Sequence, residues 1–263
     1  MKLPPELDAH LTGYALSPIR LGESGARVFR CISDQSPARY LKVAAVDDDL
    51  RLDDEAERLQ WMKDHDLSVP AVCTYARSGR TGYLLLEEMS GLPASDPHWK
   101  PHVKNVMVAL GEGMALLHRS NTHDCPFDHR LARQIEEVRR RIDAGRVDED
   151  DFDAIRAGRR ASDLFAELLS TVPEREDLVF AHGDFSLPNI ILRETQRGEV
   201  QVAGFIDCGR SGVADRHQDV ALAIRSIVRN FGSEWVTPFL HAYGLPHPDP
   251  DTVAFFTLLD EFF

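Results

Sequence analysis

Two short stretches carry side chains suited to phosphoryl transfer: Ala181-His182-Gly183-Asp184-Phe185-Ser186-Leu187-Pro188-Asn189 and Gly204-Phe205-Ile206-Asp207-Cys208-Gly209-Arg210. Asp184, Asn189 and Asp207 each bear a hard oxygen. A nucleotide's phosphates with Mg²⁺ call for such a set, because carboxylate and amide oxygens ligate the metal while one further acid orients a hydroxyl nucleophile. In that division Asp184 is the base, and Asn189 and Asp207 hold metal.

The elements around these residues must position them. Apolar Leu178-Val179-Phe180 leads into the first stretch and Ile190-Ile191-Leu192 leads out, so the polar residues between belong on a loop clamped by two short strands. Val200 to Ile206 reads as a third strand ending at Asp207, which brings the three groups to neighbouring strand ends. His182 reads as a buried brace for this loop rather than a base, and Asp219, on the helix expected over Asp215 to Arg229, as a second anchor. Arg210 faces either phosphate or substrate acids, or forms a structural ion pair.

Upstream, residues 1–90 read as a small β-rich lobe. Alternating segments cover Tyr14 to Leu21, Arg27 to Ile32 and Arg39 to Ala45, followed by a helix from Asp53 to Asp64 and a strand from Gly82 to Glu88. Gly22-Glu23-Ser24-Gly25-Ala26 is either a plain hairpin turn or a loop whose N–H groups and Ser24 hydroxyl cover phosphates. Lys42 sits mid-strand between Leu41 and Val43. There a charge either faces solvent or needs a partner, which Glu55 or Glu57 on the next helix can supply. Tyr40, two residues earlier, shares its face.

Residues 91–263 read as mainly helical. Val103 to Ser120 carries Val106, Met107, Leu110, Met114 and Leu117 at core spacing, with His118 at its end. Further helices are expected over Asp128 to Ala144, Ser162 to Ser170, Glu234 to Tyr243 and Thr252 to Phe263. Between them, Val147-Asp148-Glu149-Asp150-Asp151-Phe152-Asp153 places five acids in seven residues, either a cation-binding loop or a solvated, helix-capping one. The absence of the required glycine and terminal glutamate spacing disfavours an EF-hand.

Composition bounds the rest. The 263 residues, 43% hydrophobic and 28% charged, suit a globular α+β protein of one large domain or two lobes. The formal charge of −13 disfavours nucleic acid and acidic membranes and favours polycations or simply solubility. Cys31, Cys73, Cys125 and Cys208 show no metal or disulfide pattern. With no apolar leader and no spanning run, a cytoplasmic location is expected.

The spacing of Asp184 and Asn189 and the following Asp207 parallel the protein-kinase signature, with His-Gly-Asp and Ile-Asp-Cys-Gly replacing His-Arg-Asp and Asp-Phe-Gly. Both departures resemble the aminoglycoside phosphotransferases of the 3'-hydroxyl class. The match extends to Tyr40-Leu41-Lys42, Asp124-Cys125-Pro126, Val179 to Asn189, Gly204 to Asp215, Arg225-Ser226-Ile227 and Leu258-Leu259-Asp260-Glu261-Phe262-Phe263. The resemblance implies a bilobal protein-kinase-like fold, with a nucleotide-binding N-lobe (1–90) and a catalytic, aminoglycoside-binding C-lobe (91–263). It implies ATP and Mg²⁺ as cofactors, phosphorylation of an aminoglycoside such as kanamycin, and a monomer or weak homodimer.

It also implies that Glu55, six residues before Trp61, pairs with Lys42 on the α- and β-phosphates. Tyr40 would stack on adenine, whose edge meets the backbone from Glu87 to Met89. Asp150 and Asp153, with Asp260, Glu261 and Phe263 at the terminus, would take the drug's ammonium groups. Leu187 and Arg229-Asn230 stand where relatives carry acids, which should narrow or shift the accepted drugs. Other readings are a macrolide, choline or homoserine kinase, which the acidic loop and terminus disfavour, and an inactive nucleotide-binding regulator, which Lys42, Asp184, Asn189 and Asp207 disfavour.

Overall fold

The computed structural model describes residues 3–19, 26–46 and 51–263. In chain order its elements are α1 (Pro5–Leu11), β1 (Ala15–Ile19), β2 (Arg27–Ile32), β3 (Arg39–Ala45), α2 (Leu52–Asp64), β4 (Val72–Ser78), β5 (Thr81–Glu87), β6 (Leu92–Pro93), α3 (Val103–His118), α4 (Leu131–Asp143) and α5 (Ala161–Ser170). There follow β7 (Leu178–Ala181), β8 (Ile190–Glu194), β9 (Val200–Phe205), β10 (Gly212–Asp215), α6 (Arg216–Asn230), α7 (Val236–Tyr243) and α8 (Pro250–Asp260).

These divide into two compact units. The first holds Met1–Leu92 with Ile191–Arg193 and Val202–Arg210. Its sheet is antiparallel in the order β1-β2-β3-β5-β4, so β3 is central and Lys42 faces Val28 on one neighbour and Leu84 on the other. Leu41, Val43 and Leu85 pack with Leu7 and Leu11 of α1, an amphipathic helix that the sequence reading missed. Also missed was β4. It is an edge strand with a register irregularity between Val72 and Thr74, and its weak alternation reflects that half-buried position.

The second unit holds Pro93–Ile190, Glu194–Gln201 and Ser211–Phe263. One core gathers Leu131, Val138, Leu164 and Leu168 with Ala221 and the α8 residues Phe255, Phe256 and Leu259, together with Phe262. The four-residue β10, not foreseen, pairs antiparallel with β7. α4 starts three residues later than expected, because Asp128 bridges Val213 and its carboxylate takes the Arg130 N–H and guanidinium. Opposite, α8 starts two residues earlier, with Pro250 in its first turn and Asp249 accepting the Thr252 N–H. Among the described residues, no helix is long and apolar enough to cross a membrane.

Candidate active site

In the first unit, β3 delivers Lys42 and the first turn of α2 delivers Glu55, which is 3% exposed. Lys42 Nζ donates to Glu55 Oε1 at 2.7 Å and to Asp207 Oδ1 at 2.8 Å. Glu57, the other candidate, is not the partner. Burial alone would lower the Lys42 pKa, but Glu55 and Asp207 outweigh it and raise it, so the ammonium is held firmly. Burial raises Glu55, and Lys42 opposes that rise. Asp207 follows β9 with φ +59°, a left-handed conformation that aspartate tolerates better than most residues. The local fold therefore spends backbone strain to aim this carboxylate.

Tyr40 hydrogen-bonds Glu88 Oε1 at 3.2 Å, and Arg30 clasps the same oxygen at 2.9 Å. The N–H of Glu87 goes to Ala71 O and that of Glu88 to Ala38 O, committing two of the three backbone donors from Glu87 to Met89. Beside them Gly204 admits Met89. A Cβ on Gly204 would lie 2.8 Å from Met89 Sδ and 2.5 Å from Ser68 O. Arg210 sits partly buried on the turn after Asp207. Ser24 lies outside the described residues.

In the second unit, the loop bearing Asp184 is clamped through its backbone. Asp219, fully buried on α6, accepts the His182 N–H at 2.7 Å and the Gly183 N–H at 2.9 Å. Gln218 Nε2 donates to Gly183 O at 2.9 Å, Ser211 Oγ donates to His182 O at 2.9 Å, and Ser226 Oγ accepts the Leu187 N–H at 3.0 Å. Burial acts to raise the Asp219 pKa, but the His118 hydrogen bond and the charges and N–H groups around it lower it, so it stays a carboxylate. His182 Nδ1 receives the Asp184 N–H at 3.3 Å, a bracing contact. Sequence reasoning missed Gln218, Ser211 and Ser226. The spacing of seven between Asp219 and Ser226, two helical turns, was the signal that both face one loop.

Asn189 Nδ2 donates to Asp184 Oδ2 at 2.8 Å, Asp184 O at 3.2 Å and Ser186 Oγ at 3.1 Å. The amide thus steadies the carboxylate and has its Oδ1 left for a cation. That oxygen and the Asp207 carboxylate are hard donors of the kind Mg²⁺ takes. Among the described residues no cluster of three or more His, Cys, Asp or Glu could hold a metal. Asn189 and Asp207 each offer a single protein oxygen, and Mg²⁺, which keeps water and phosphate oxygens in its shell, asks for few from a protein. Leu187 is fully buried, so the residue at this departure from the family pattern packs inside rather than facing solvent.

The acidic segment divides by role. Glu149 Oε1 accepts the Ala161 N–H at the start of α5, the capping alternative realised, and Asp150 is exposed on a turn held by Asp148. Asp153, Asp260 and Glu261 come together around two arginines. Arg225 pairs with Asp260 and lies 3.7 Å from Asp153, while Arg156 reaches Glu261 Oε1 at 3.2 Å. Glu261 Oε2 accepts the Asp153 N–H at 2.8 Å. Its pKa is pushed up to about 7 by burial first and by the Asp153 carboxyl, against that N–H and Arg156. The terminus is docked, with Phe262 fully buried and Arg141 donating to Phe262 O at 2.6 Å and Phe263 O at 3.2 Å.

The chain matches known proteins over nearly its whole length. The profile of the Phosphotransferase enzyme family aligns with residues 15–256. An aminoglycoside 3'-phosphotransferase from Streptomyces fradiae is 38% identical over 92% of each chain. The crystal structure of aminoglycoside-3'-phosphotransferase of type VIII superposes with a TM-score of 0.86 at 34% identity, covering 98% of this chain and 96% of that one. Aminoglycoside phosphotransferase APH(3'')-Id from Streptomyces rimosus, solved with ADP and streptomycin, gives a TM-score of 0.83 at 26% identity, covering 97% and 95%. The fold is protein-kinase-like, with a five-stranded antiparallel sheet in the N-terminal part and a helical C-terminal part. A buried Lys–Glu pair extended to Asp207, an Asp184 carboxylate steadied by Asn189 and these likenesses agree: the chain belongs to the phosphotransferase enzyme family, alongside the aminoglycoside 3'-phosphotransferases.

Proposed function

We propose that the protein transfers the γ-phosphoryl group of ATP to the 3'-hydroxyl of aminoglycoside antibiotics in the cytoplasm, conferring resistance. The observation that carries this reading is the Asp184 carboxylate, held by Asn189 on a loop whose backbone is gripped by buried Asp219. Phosphoryl transfer asks little covalent chemistry of a protein and much positioning, which is what this clamp provides.

In this mechanism Lys42, kept cationic and fixed by Glu55, pairs the α- and β-phosphates. Tyr40 stacks on adenine, while backbone groups from Glu87 to Met89 meet its edge. Ser24 covers the phosphates. Asn189 and Asp207 would each give an oxygen to Mg²⁺, which would neutralise charge on the phosphates. Asp184 orients the 3'-hydroxyl and accepts its proton as the new O–P bond forms and the bond to ADP breaks. Asp153, Asp260, Glu261, Phe263 and exposed Asp150 receive the drug's ammonium groups, with Arg210 aligning substrate or phosphate. Residues 1–90 thereby bind the nucleotide, and residues 91–263 carry the catalytic groups and receive the antibiotic.

The test is ADP release by the purified protein with ATP and Mg²⁺, offered kanamycin or 3'-deoxy tobramycin. Release with kanamycin alone is expected. Release with both moves the phosphorylated position elsewhere on the drug, and release with neither overturns the substrate class.

A further inference from the structure

Asp219 receives a third donor besides the two loop amides: His118 Nε2 at 3.0 Å. The other ring nitrogen, His118 Nδ1, lies 2.7 Å from the Tyr243 hydroxyl, and Arg216 Nη1 lies 3.3 Å from that same hydroxyl. With a neutral imidazole at its centre, this chain takes its polarity from its two ends. Arg216 has only donors, so the Tyr243 oxygen accepts from it and directs its single proton to His118 Nδ1. Asp219, ionised, only accepts, so His118 carries its own proton on Nε2. Every bond from Arg216 through Tyr243 and His118 points toward the carboxylate that grips His182 and Gly183.

Little solvent reaches this chain. The His118 side chain is 3% exposed and Asp219 not at all. Burial first, opposed by Arg216, pushes the Tyr243 hydroxyl up to about 12, so it keeps the proton it donates. Arg216 is itself anchored by Asp177 at 3.0 Å. The close approach of α3 and α7 that brings His118 to Tyr243 depends on Gly111, where a Cβ would stand 2.6 Å from Tyr243 N.

We propose that Tyr243 is a positioning residue for phosphoryl transfer: its hydroxyl, oriented by Arg216, holds His118 so that Asp219 stays aligned on the amides that place Asp184. The kinetic side rests on Asp184 acting as the base. Removing the hydroxyl leaves His118 Nδ1 a buried acceptor without a donor, frees the ring to reorient and loosens one of three donors on Asp219.

The experiment compares Tyr243→Phe with Leu240→Ala, a buried truncation on the same helix that leaves the hydroxyl in place. In Tyr243→Phe, kcat with kanamycin falls about tenfold while both KM values stay within about twofold, since a small misplacement costs turnover before binding. In Leu240→Ala, kcat is retained below its melting temperature. On the uniformly ¹⁵N-labelled full chain, Tyr243→Phe moves the His118 Nδ1 resonance, and the His182 and Gly183 amides exchange faster. Unchanged kcat in Tyr243→Phe, or an equal fall in both variants, overturns the proposal, as does a wild-type His118 carrying its proton on Nδ1. If the wild-type protein turns over no aminoglycoside, the functional reading fails, and the Nδ1 resonance and amide exchange still decide whether Tyr243 holds the loop.

Discussion

Lys42 Nζ donates to Asp207 Oδ1 at 2.8 Å across a sequence separation of 165 residues. The same ammonium is held by Glu55, so one buried cation ties the central strand of the sheet to a helix and to the turn carrying a proposed metal ligand. Breaking a buried pair costs more than deleting it whole, because the remaining charge loses its partner. Lys42→Met is therefore expected to destabilise by about 3–5 kcal/mol. Adding Glu55→Leu should restore part of that loss. Chemical denaturation of the two single variants and the double variant measures the cycle, and simple additivity would mean that the pair is not coupled. Lys42→Met and the double variant should not turn over, since in both the phosphates lose their lysine.

Asp184→Ala should lower kcat by about 10²–10⁴-fold, the range for removing a positioned acid or base. Nucleotide affinity, measured by calorimetry, should change by no more than a few-fold. Near-normal turnover in a coupled assay would remove Asp184 from the mechanism.

Glu261 has a pH signature. Its folded pKa of about 7 lies above its ordinary value of 4.5, so between those limits the folded state binds more protons than the unfolded one. Its contribution to stability is thus full below the unfolded value and is lost as pH rises toward 7, with a slope of at most about 1.4 kcal/mol per pH unit. Glu261→Gln should flatten this slope. Identical pH–stability curves for the two proteins between pH 4.5 and 7 would show that Glu261 stays ionised beside Arg156.

Gly111 on α3 lies close against the end of α7: a Cβ there would meet Tyr243 N at 2.6 Å and Ala242 Cβ at 2.7 Å. Gly111→Ala would gain helix propensity of about 1 kcal/mol, yet it forces backbone apart at an overpacking cost of about 1–3 kcal/mol. The expected outcome is a lowered melting temperature together with reduced kcat, because His118 and Tyr243 sit on the two helices being separated. A stabilised variant with full activity would show that the helices relax freely.

The sequence by itself carried the chemistry. The placement of Asp184 and Asn189 between β7 and β8, and of Asp207 after β9, was legible because the strands around them follow from hydrophobic periodicity. The choice of Glu55 over Glu57 was legible too, although only through resemblance. β4 and β10 were not legible, since an edge strand with an irregular register and a four-residue buried strand leave little alternation to read. Asp219 was legible as an anchor of the loop, but Gln218 and Ser226 beside it were not, because polar side chains of one helix serve backbone groups 35 and 39 residues away.

The terminus shows the same division. Its acids could be counted in the sequence, but only the tertiary structure seats Arg156 and Arg225 among Asp153, Asp260 and Glu261 and buries Phe262. Residue types determine which reactions and ligands are chemically open, because donors, acceptors and charges are local properties. Which carboxylate is paired, shielded or left to act is decided by groups distant in the chain, and their approach is an outcome of packing.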